Sequence, residues 1–379
     1  MRVLRYTILM SEQQPPSPQH FNSQIYPETV RLEREGYLGL SPKQVYRREA
    51  AFALRAAGVK GPENFREGEG IVDTACGVGN HAFQMSDMLE RKVPIEGVDV
   101  AGKLIEIANE RLQKRIQQGI HDRIAQFTEG AMQGLEKKKL SGRNVRLITN
   151  LGSSFFGYMG VGQMKESLLH FYNLLEPGGQ LVIQWRGDDP DETQKQWEER
   201  EARIRGKRKK FSVSKSQENV AGYPMPLDMV ENYDKTSSCY LRYIDAENPA
   251  VVDGDSAAEV AKYEPFTKVI DGRPCKGWEH TTSGIQFLSY ERVYRDAQGK
   301  ETVLPPTLIA KMKEEKEDND RPKGSPPKEF DGMKKLLRET WFRDDANAAD
   351  RNVRFVRGEG EEEHLGHQVL NALVATKPG

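Results

Sequence analysis

The chain has 379 residues, and its 56 Lys and Arg against 57 Asp and Glu leave a net charge of −1. That length allows two or three domains, or one large domain with an insertion. The balanced charge gives no global field for a polyanion and argues against nucleic acid as a partner; no apolar run approaches the roughly 18 residues of a transmembrane helix, so no membrane association is expected.

The opening MRVLRYTILM lacks the long apolar core and cleavage site of a secretory signal, and Met10 offers a second start. Residues 11–20, SEQQPPSPQH, hold three prolines and three glutamines, so residues 1–40 are expected to form a flexible tail. A helix is expected from Ser41, as N-cap with Pro42 at the first helical position, to Gly58.

From Gly70 strands and helices alternate. GIVDTA, VPIEGVDV, RIAQFTEG, VRLITNLG and QLVIQW read as strands. NHAFQMSDMLERK, GKLIEIANERLQKRIQQG and QMKESLLHFYNLLEPGG read as the helices between them. This rhythm predicts an α/β fold with a doubly wound, mostly parallel sheet. The rhythm breaks after Trp185. Residues 198–210 hold seven basic and three acidic side chains, read as a solvated face. SSCYLRYI, SGIQFLSYERVYRD and AQGKETVL read as antiparallel strands, the last two joined by a turn at Gln298-Gly299. Residues 311–329, with twelve charged residues and three prolines, read as a loop. MKKLLRETWF, NVRFVRG and VLNALVATK then resume the alternation. The expected division is a tail at 1–40, a core with an N-terminal helix at 41–186, an antiparallel β insertion at 187–330, and completion of the sheet at 331–379.

The segment that carries chemistry is IVDTACGVGNHA, residues 71–82. Asp73 ends the first strand. Gly77 and Gly79 make a tight turn that lets backbone approach a ligand, and helix-start amides follow. Asp99 ends the second strand twenty residues past Gly79, where an acid can accept both hydroxyls of a ribose. Ala82 replaces the third glycine of a dinucleotide fingerprint. Asp73 before the turn would repel a pyrophosphate but welcome an ammonium. Both points favour S-adenosylmethionine over a dinucleotide.

Cys76, Cys239 and Cys275 form no CxxC pair, so neither a disulfide framework nor a zinc module is expected; the setting is expected to be reducing and cytoplasmic, with no metal. Cys76 reads as a small buried residue and His170 as structural.

IVDTACGVGNHAFQM resembles the first motif of the class I S-adenosylmethionine-dependent methyltransferases, and IEGVDVAGKLIEIANERL resembles their second. ITNLGSSFFGYMG resembles the fourth-strand motif of a small-molecule branch, and LLEPGGQLVI their approach to strand five. The N-terminal helix with Arg47-Arg48 is similar to the lid helix of glycine N-methyltransferase-like enzymes, where an arginine holds the methionine carboxylate. The resemblance implies a seven-stranded Rossmann-like fold, with S-adenosyl-L-methionine as cofactor and methyl transfer to a nitrogen or oxygen of a small-molecule acceptor. It departs from the family where Ala131 follows Gly130 in place of the usual acid. The implied cofactor set is Arg48 on the N-terminal helix, then Asp73, Ala75, Gly77, Gly79, Asp99 and Val100 on the first half of the sheet. Ala131, Met132, Asn150, Leu151 and Ser153 complete it on the second half. Tyr158 and His81 are the catalytic candidates. Two other readings stay open: a cyclisation or elimination of S-adenosylmethionine, and an RNA- or protein-directed methyltransferase or binding module. A homodimer is also open.

Overall fold

The computed structural model describes residues 42–135, 144–152, 155, 159–188, 238–246, 248, 256–270, 273–295, 300–303, 307–312, 328–358, 364–365 and 368–379. The expected tail, the Ser41 cap, the basic run at 198–210 and the Gln298-Gly299 turn lie outside these residues, as do Ser153 and Tyr158.

The first element is α1 (Pro42–Ala56). Val45, Phe52, Ala53 and Ala56 bury one stripe of it, the i, i+7, i+8, i+11 spacing of an amphipathic helix. Gly58 ends it at φ 72°, a left-handed conformation that glycine adopts without strain. Its amide bonds the Arg55 carbonyl, and that of Val59 bonds the Leu54 carbonyl.

Then come β1 (Glu69–Thr74), α2 (Asn80–Met88), β2 (Ile95–Asp99), α3 (Gly102–Gln117), β3 (Ile124–Glu129), β4 (Asn144–Asn150), α4 (Val161–Leu174) and β5 (Leu175–Asp188). The helix before β5 stops at Leu174, one turn short of the glycines. Leu175 already pairs with Val145, and the ladder shifts register before Gln180 pairs with Leu147. Glu176–Gly179 therefore form an irregularity inside a strand rather than a helix end.

After β5 the described strands β6 (Ser238–Ile244), β7 (Tyr263–Ile270), β8 (Arg273–His280), β9 (Ile285–Arg295), β10 (Glu301–Val303) and β11 (Thr307–Met312) form a second, antiparallel sheet. A one-turn helix, α5 (Ala257–Val260), precedes β7. β11 pairs β9 over six residues, so the first two residues of the expected loop at 311–329 are strand. The chain closes with α6 (Lys328–Thr340), α7 (Ala346–Asn352), β12 (Val353–Arg357), β13 (His364–Leu365) and β14 (Gln368–Thr376). β5 ends at Asp188 and α6 begins at Lys328.

The main sheet has the order β12-β14-β5-β4-β1-β2-β3, with β13 paired to β14. β1 to β5 are parallel; β14 runs antiparallel between β5 and β12. This is the doubly wound, mostly parallel seven-stranded sheet with an antiparallel β insertion after strand five. Alternate residues on a strand face opposite sides, so each face has its own core. Ile71, Leu147 and Val182 pack with α1 and α2, while Ile148, Ile183 and Trp185 pack with α4 and α6.

The second sheet is fastened to α4. The Tyr263 hydroxyl accepts from the Val161 amide at 3.0 Å. Lys165 bridges Glu259 at 2.6 Å and Glu339 at 2.7 Å. Glu259 also bonds His280 Nε2, whose Nδ1 meets the Ser283 hydroxyl at 2.8 Å. Against desolvation by burial, Lys165, Lys262 at 2.9 Å and His280 hold the Glu259 carboxyl down at about 2.

Candidate functional site

The order of the sheet reverses between β1 and β4, and in open α/β sheets that is where ligands bind, beyond the carboxyl ends of the strands. Asp73 and Thr74 end β1, Asn150 ends β4 and Asp99 ends β2. The turn after β1 is shaped for close approach. Ala75 has φ 52°, strain in a non-glycine residue, and Gly77 and Gly79 have φ 55° and 78°. A side chain on Gly79 would come within 2.6 Å of the Phe127 ring, whereas above Gly77 nothing lies within 4 Å. The open side is where a ligand can enter. Gly79 caps α2. Arg111 from α3 braces the turn, donating to the Val78 carbonyl and Asn80 Oδ1, both at 2.7 Å, with its guanidinium 5.0 Å from the Phe83 ring centre.

Asp99 is buried. Its Oδ2 accepts from the Gly77 amide at 2.8 Å and its Oδ1 from the Ala101 amide at 2.9 Å. Burial raises its pKa, and those backbone amides with that of Val100 act against the rise. Each oxygen keeps a lone pair, which is what two vicinal hydroxyls need.

Asp73 is also buried. Oδ1 accepts from the Thr149 hydroxyl at 2.8 Å, and Oδ2 has no hydrogen-bond partner. Desolvation pushes its pKa up to about 6, against the pull of His81 and Thr149. An ionised carboxylate oxygen buried without a donor is costly; an ammonium would satisfy it. Asp73 therefore fits the α-ammonium of S-adenosylmethionine, and Asp99 and the open face of Gly77 fit its nucleoside.

His81, on the first turn of α2, packs edge-on against Tyr46 with ring centres 5.1 Å apart. Its Nε2 lies 2.9 Å from Glu49 Oε2, a fully buried carboxylate on α1. A Cβ on Gly152 would sit 3.8 Å from His81 Cε1, so the ring borders the loop after β4. The Gly152 amide in turn donates to Gln184 Oε1 of β5 at 2.8 Å. On the other face, Asn150 Nδ2 donates to the Thr74 hydroxyl at 3.0 Å and contacts Met132 sulfur at 3.3 Å. Ala131 is exposed and Val100 half-buried at the same edge, and Leu151 is buried below it.

The structure thus brings Asp73, Ala75, Gly77, Gly79, His81, Asp99, Val100, Ala131, Met132, Asn150 and Leu151 to one edge. Arg48 is half-buried on α1, and Arg47 is exposed. Cys76 is buried beneath the turn with its thiol pushed well up by desolvation, so it is packing. His170 bonds the Leu135 carbonyl, a structural role. Sequence reading missed Glu49, Gln184 and Arg111. A cavity of about 900 Å³ lined by Phe65, Glu69, Lys92, Pro94 and Arg123 lies at the opposite, amino edge of β1 and β2, away from all of these groups.

Strand order, turn and edge acids together define a class I S-adenosylmethionine-dependent methyltransferase core, and S-adenosylmethionine is its cofactor. Within it, residues 54–185 match the ubiE/COQ5 methyltransferase family. That match does not single out the glycine N-methyltransferase-like branch suggested by the lid helix.

Among solved structures, the chain is similar to the CcbJ methyltransferase from Streptomyces caelestis, at 12% identity over 89% of this chain and 92% of that one, TM-score 0.42. It is similar to CalS10, an amino pentose methyltransferase from Micromonospora echinaspora, at 13% identity over 93% and 96%, TM-score 0.41. A methyltransferase from Clostridium acetobutylicum gives 12% identity over 94% and 98%, TM-score 0.40. No curated protein matches the chain.

Proposed function

We propose that this chain transfers the methyl group of S-adenosylmethionine to a nitrogen or oxygen of a small-molecule acceptor. The observation that carries the reading is Asp73 Oδ2: a buried, partnerless carboxylate oxygen at the end of β1, beside a glycine turn open above Gly77.

When bound, S-adenosylmethionine supplies a methyl group on a positively charged sulfur. The residues of the chain then have three tasks. Asp73 holds the α-ammonium, and Asp99 holds the ribose while keeping the turn closed through Gly77. Asn150, Met132 and Ala131 border the adenine. His81 accepts the proton of the acceptor: an ionised Glu49 only accepts a hydrogen bond, and with it in that form His81 Nε2 carries the hydrogen between them and Nδ1 keeps its lone pair. Glu49 fixes that tautomer and ring orientation, as an orienting carboxylate does for a histidine base.

Tyr158, which falls between β4 and α4 in the sequence, orients the acceptor. The second sheet, with α5, supplies acceptor specificity; its anchoring on α4 through Tyr263 and Glu259 supports that role. The test is incubation of the full chain with S-adenosylmethionine and a panel of small amines, amino acids and hydroxylated metabolites. S-adenosylhomocysteine should form only with particular acceptors, each gaining the mass of a methyl group. Consumption of the donor without any acceptor would favour cyclisation or elimination. Binding to RNA that falls steeply with salt would favour the nucleic-acid reading.

A further inference from the structure

The main sheet leaves a second buried group without a partner on the face that carries Asp73. Asp73 pairs with Thr149 across β1 and β4, and Thr149 pairs with Val182 across β4 and β5. Gln184 lies two residues beyond Val182, so it points to the same side. It is fully buried, and its Nε2 has no hydrogen-bond partner. Its orientation is fixed, because Oε1 accepts from the Gly152 amide and an amide nitrogen could not.

The two unsatisfied atoms are complementary: Asp73 offers an acceptor and Gln184 a donor. Their strands are two spacings apart, roughly 10 Å, but both side chains lean toward the strand between them. Asp73 is drawn to β4 by Thr149, and Gln184 reaches the Gly152 amide just past its end. A ligand with a cationic and an anionic group on one carbon, an α-amino acid zwitterion, satisfies both at once.

We infer that Gln184 donates a hydrogen bond from Nε2 to the α-carboxylate of the methionine end of the cofactor, opposite Asp73 on the α-ammonium. This rests on the cofactor site described above and adds a residue to it. It also moves the carboxylate from an arginine on α1 to an amide on β5.

The experiment is calorimetric titration of the full chain with S-adenosylhomocysteine and with 5′-methylthioadenosine, which keeps the nucleoside and thioether but lacks the amino-acid end. Gln184→Glu keeps an acceptor for the Gly152 amide, removes the donor and adds a repelling charge. Gln184→Leu removes the donor without adding charge. The inference expects S-adenosylhomocysteine affinity to fall at least about tenfold in Gln184→Leu and further in Gln184→Glu. Affinity for 5′-methylthioadenosine should stay within about twofold of the parent. Unchanged S-adenosylhomocysteine affinity in Gln184→Glu would overturn it, as would an equal loss for both ligands, which marks a structural role. A parent chain that binds neither ligand would instead sink the cofactor site itself.

Discussion

With Asp73 as the proposed holder of the α-ammonium, binding at the cofactor site is expected to depend on pH. Its carboxyl sits at about 6 in the free protein because burial disfavours the charge more than His81 and Thr149 favour it. An ammonium held by this carboxyl, as proposed, demands the ionised form. Affinity for S-adenosylhomocysteine should therefore weaken about tenfold per pH unit below 6 and level off above it. A titration flat between pH 5 and pH 7 would remove Asp73 from the ligand. Stability of the free chain follows the opposite sign. The folded pKa lies above the unfolded value near 3.8, so the folded state binds more protons between them. This contribution is present below about pH 4 and is lost as pH rises to 6, on the order of 3 kcal/mol. Asp99 is tested differently. Asp99→Asn should cost about 1–3 kcal/mol of S-adenosylhomocysteine binding, measured by calorimetry. Unaltered affinity would exclude it from the ribose. Both acids were legible in the sequence, because strand ends and a twenty-residue spacing locate them. Glu49 and Gln184 were not, although each left a trace. Glu49 interrupts the apolar stripe of α1 between Val45 and Phe52, and Gln184 interrupts the apolar run Leu181–Trp185. Periodicity registers such residues as noise, since the partner of each comes from another strand or helix.

At the scale of elements, the glycine turn after β1 is held from below as well as from the sides. β2 passes the turn at Gly97, where a Cβ would collide with the Phe127 ring and would lie 2.9 Å from Cys76 sulfur. Gly97 has ordinary extended backbone, so its glycine is required by packing and not by torsion. Gly97→Val should therefore destabilise the chain by roughly 1–3 kcal/mol or more through overpacking, and should weaken the cofactor by displacing the turn. Thermal melting that matches the parent would show the interface between β2 and β3 to be looser than this packing. The alternation of strands and helices was readable because parallel strands flanked by amphipathic helices carry two distinct periods. The stop of α4 at Leu174 was not. Leu174 and Leu175 continue the helical apolar pattern, and only the pairing of Leu175 with Val145 turns the chain into strand. Arg111 was hidden for a similar reason: an arginine on α3 looks like solvent-facing charge until α3 is packed against the turn.

At the scale of the molecule, a nucleotide-type edge is completed by elements from three distant parts of the chain. α1 brings Glu49 to His81, β14 inserts antiparallel between β5 and β12, and the second sheet is anchored to α4 by Tyr263 and the Glu259 cluster. The sequence disclosed the break after Trp185 and the return at the C-terminus, because both change the hydrophobic rhythm. It did not disclose that the described strands β6 to β11 join in one sheet in which β9 pairs four others, since antiparallel pairing over such separations leaves no local signal. The proposed activity is methyl transfer at the edge shared by Asp73, Asp99 and His81. The most direct measurement is mass spectrometry of products formed by the full chain from S-adenosylmethionine carrying a deuterated methyl group, in the acceptor panel described above. Methyl transfer at this edge should place the intact labelled methyl on a nitrogen or oxygen of an acceptor, with unlabelled S-adenosylhomocysteine as the other product. Label retained on a fragment of the donor, with no acceptor labelled, would contradict it.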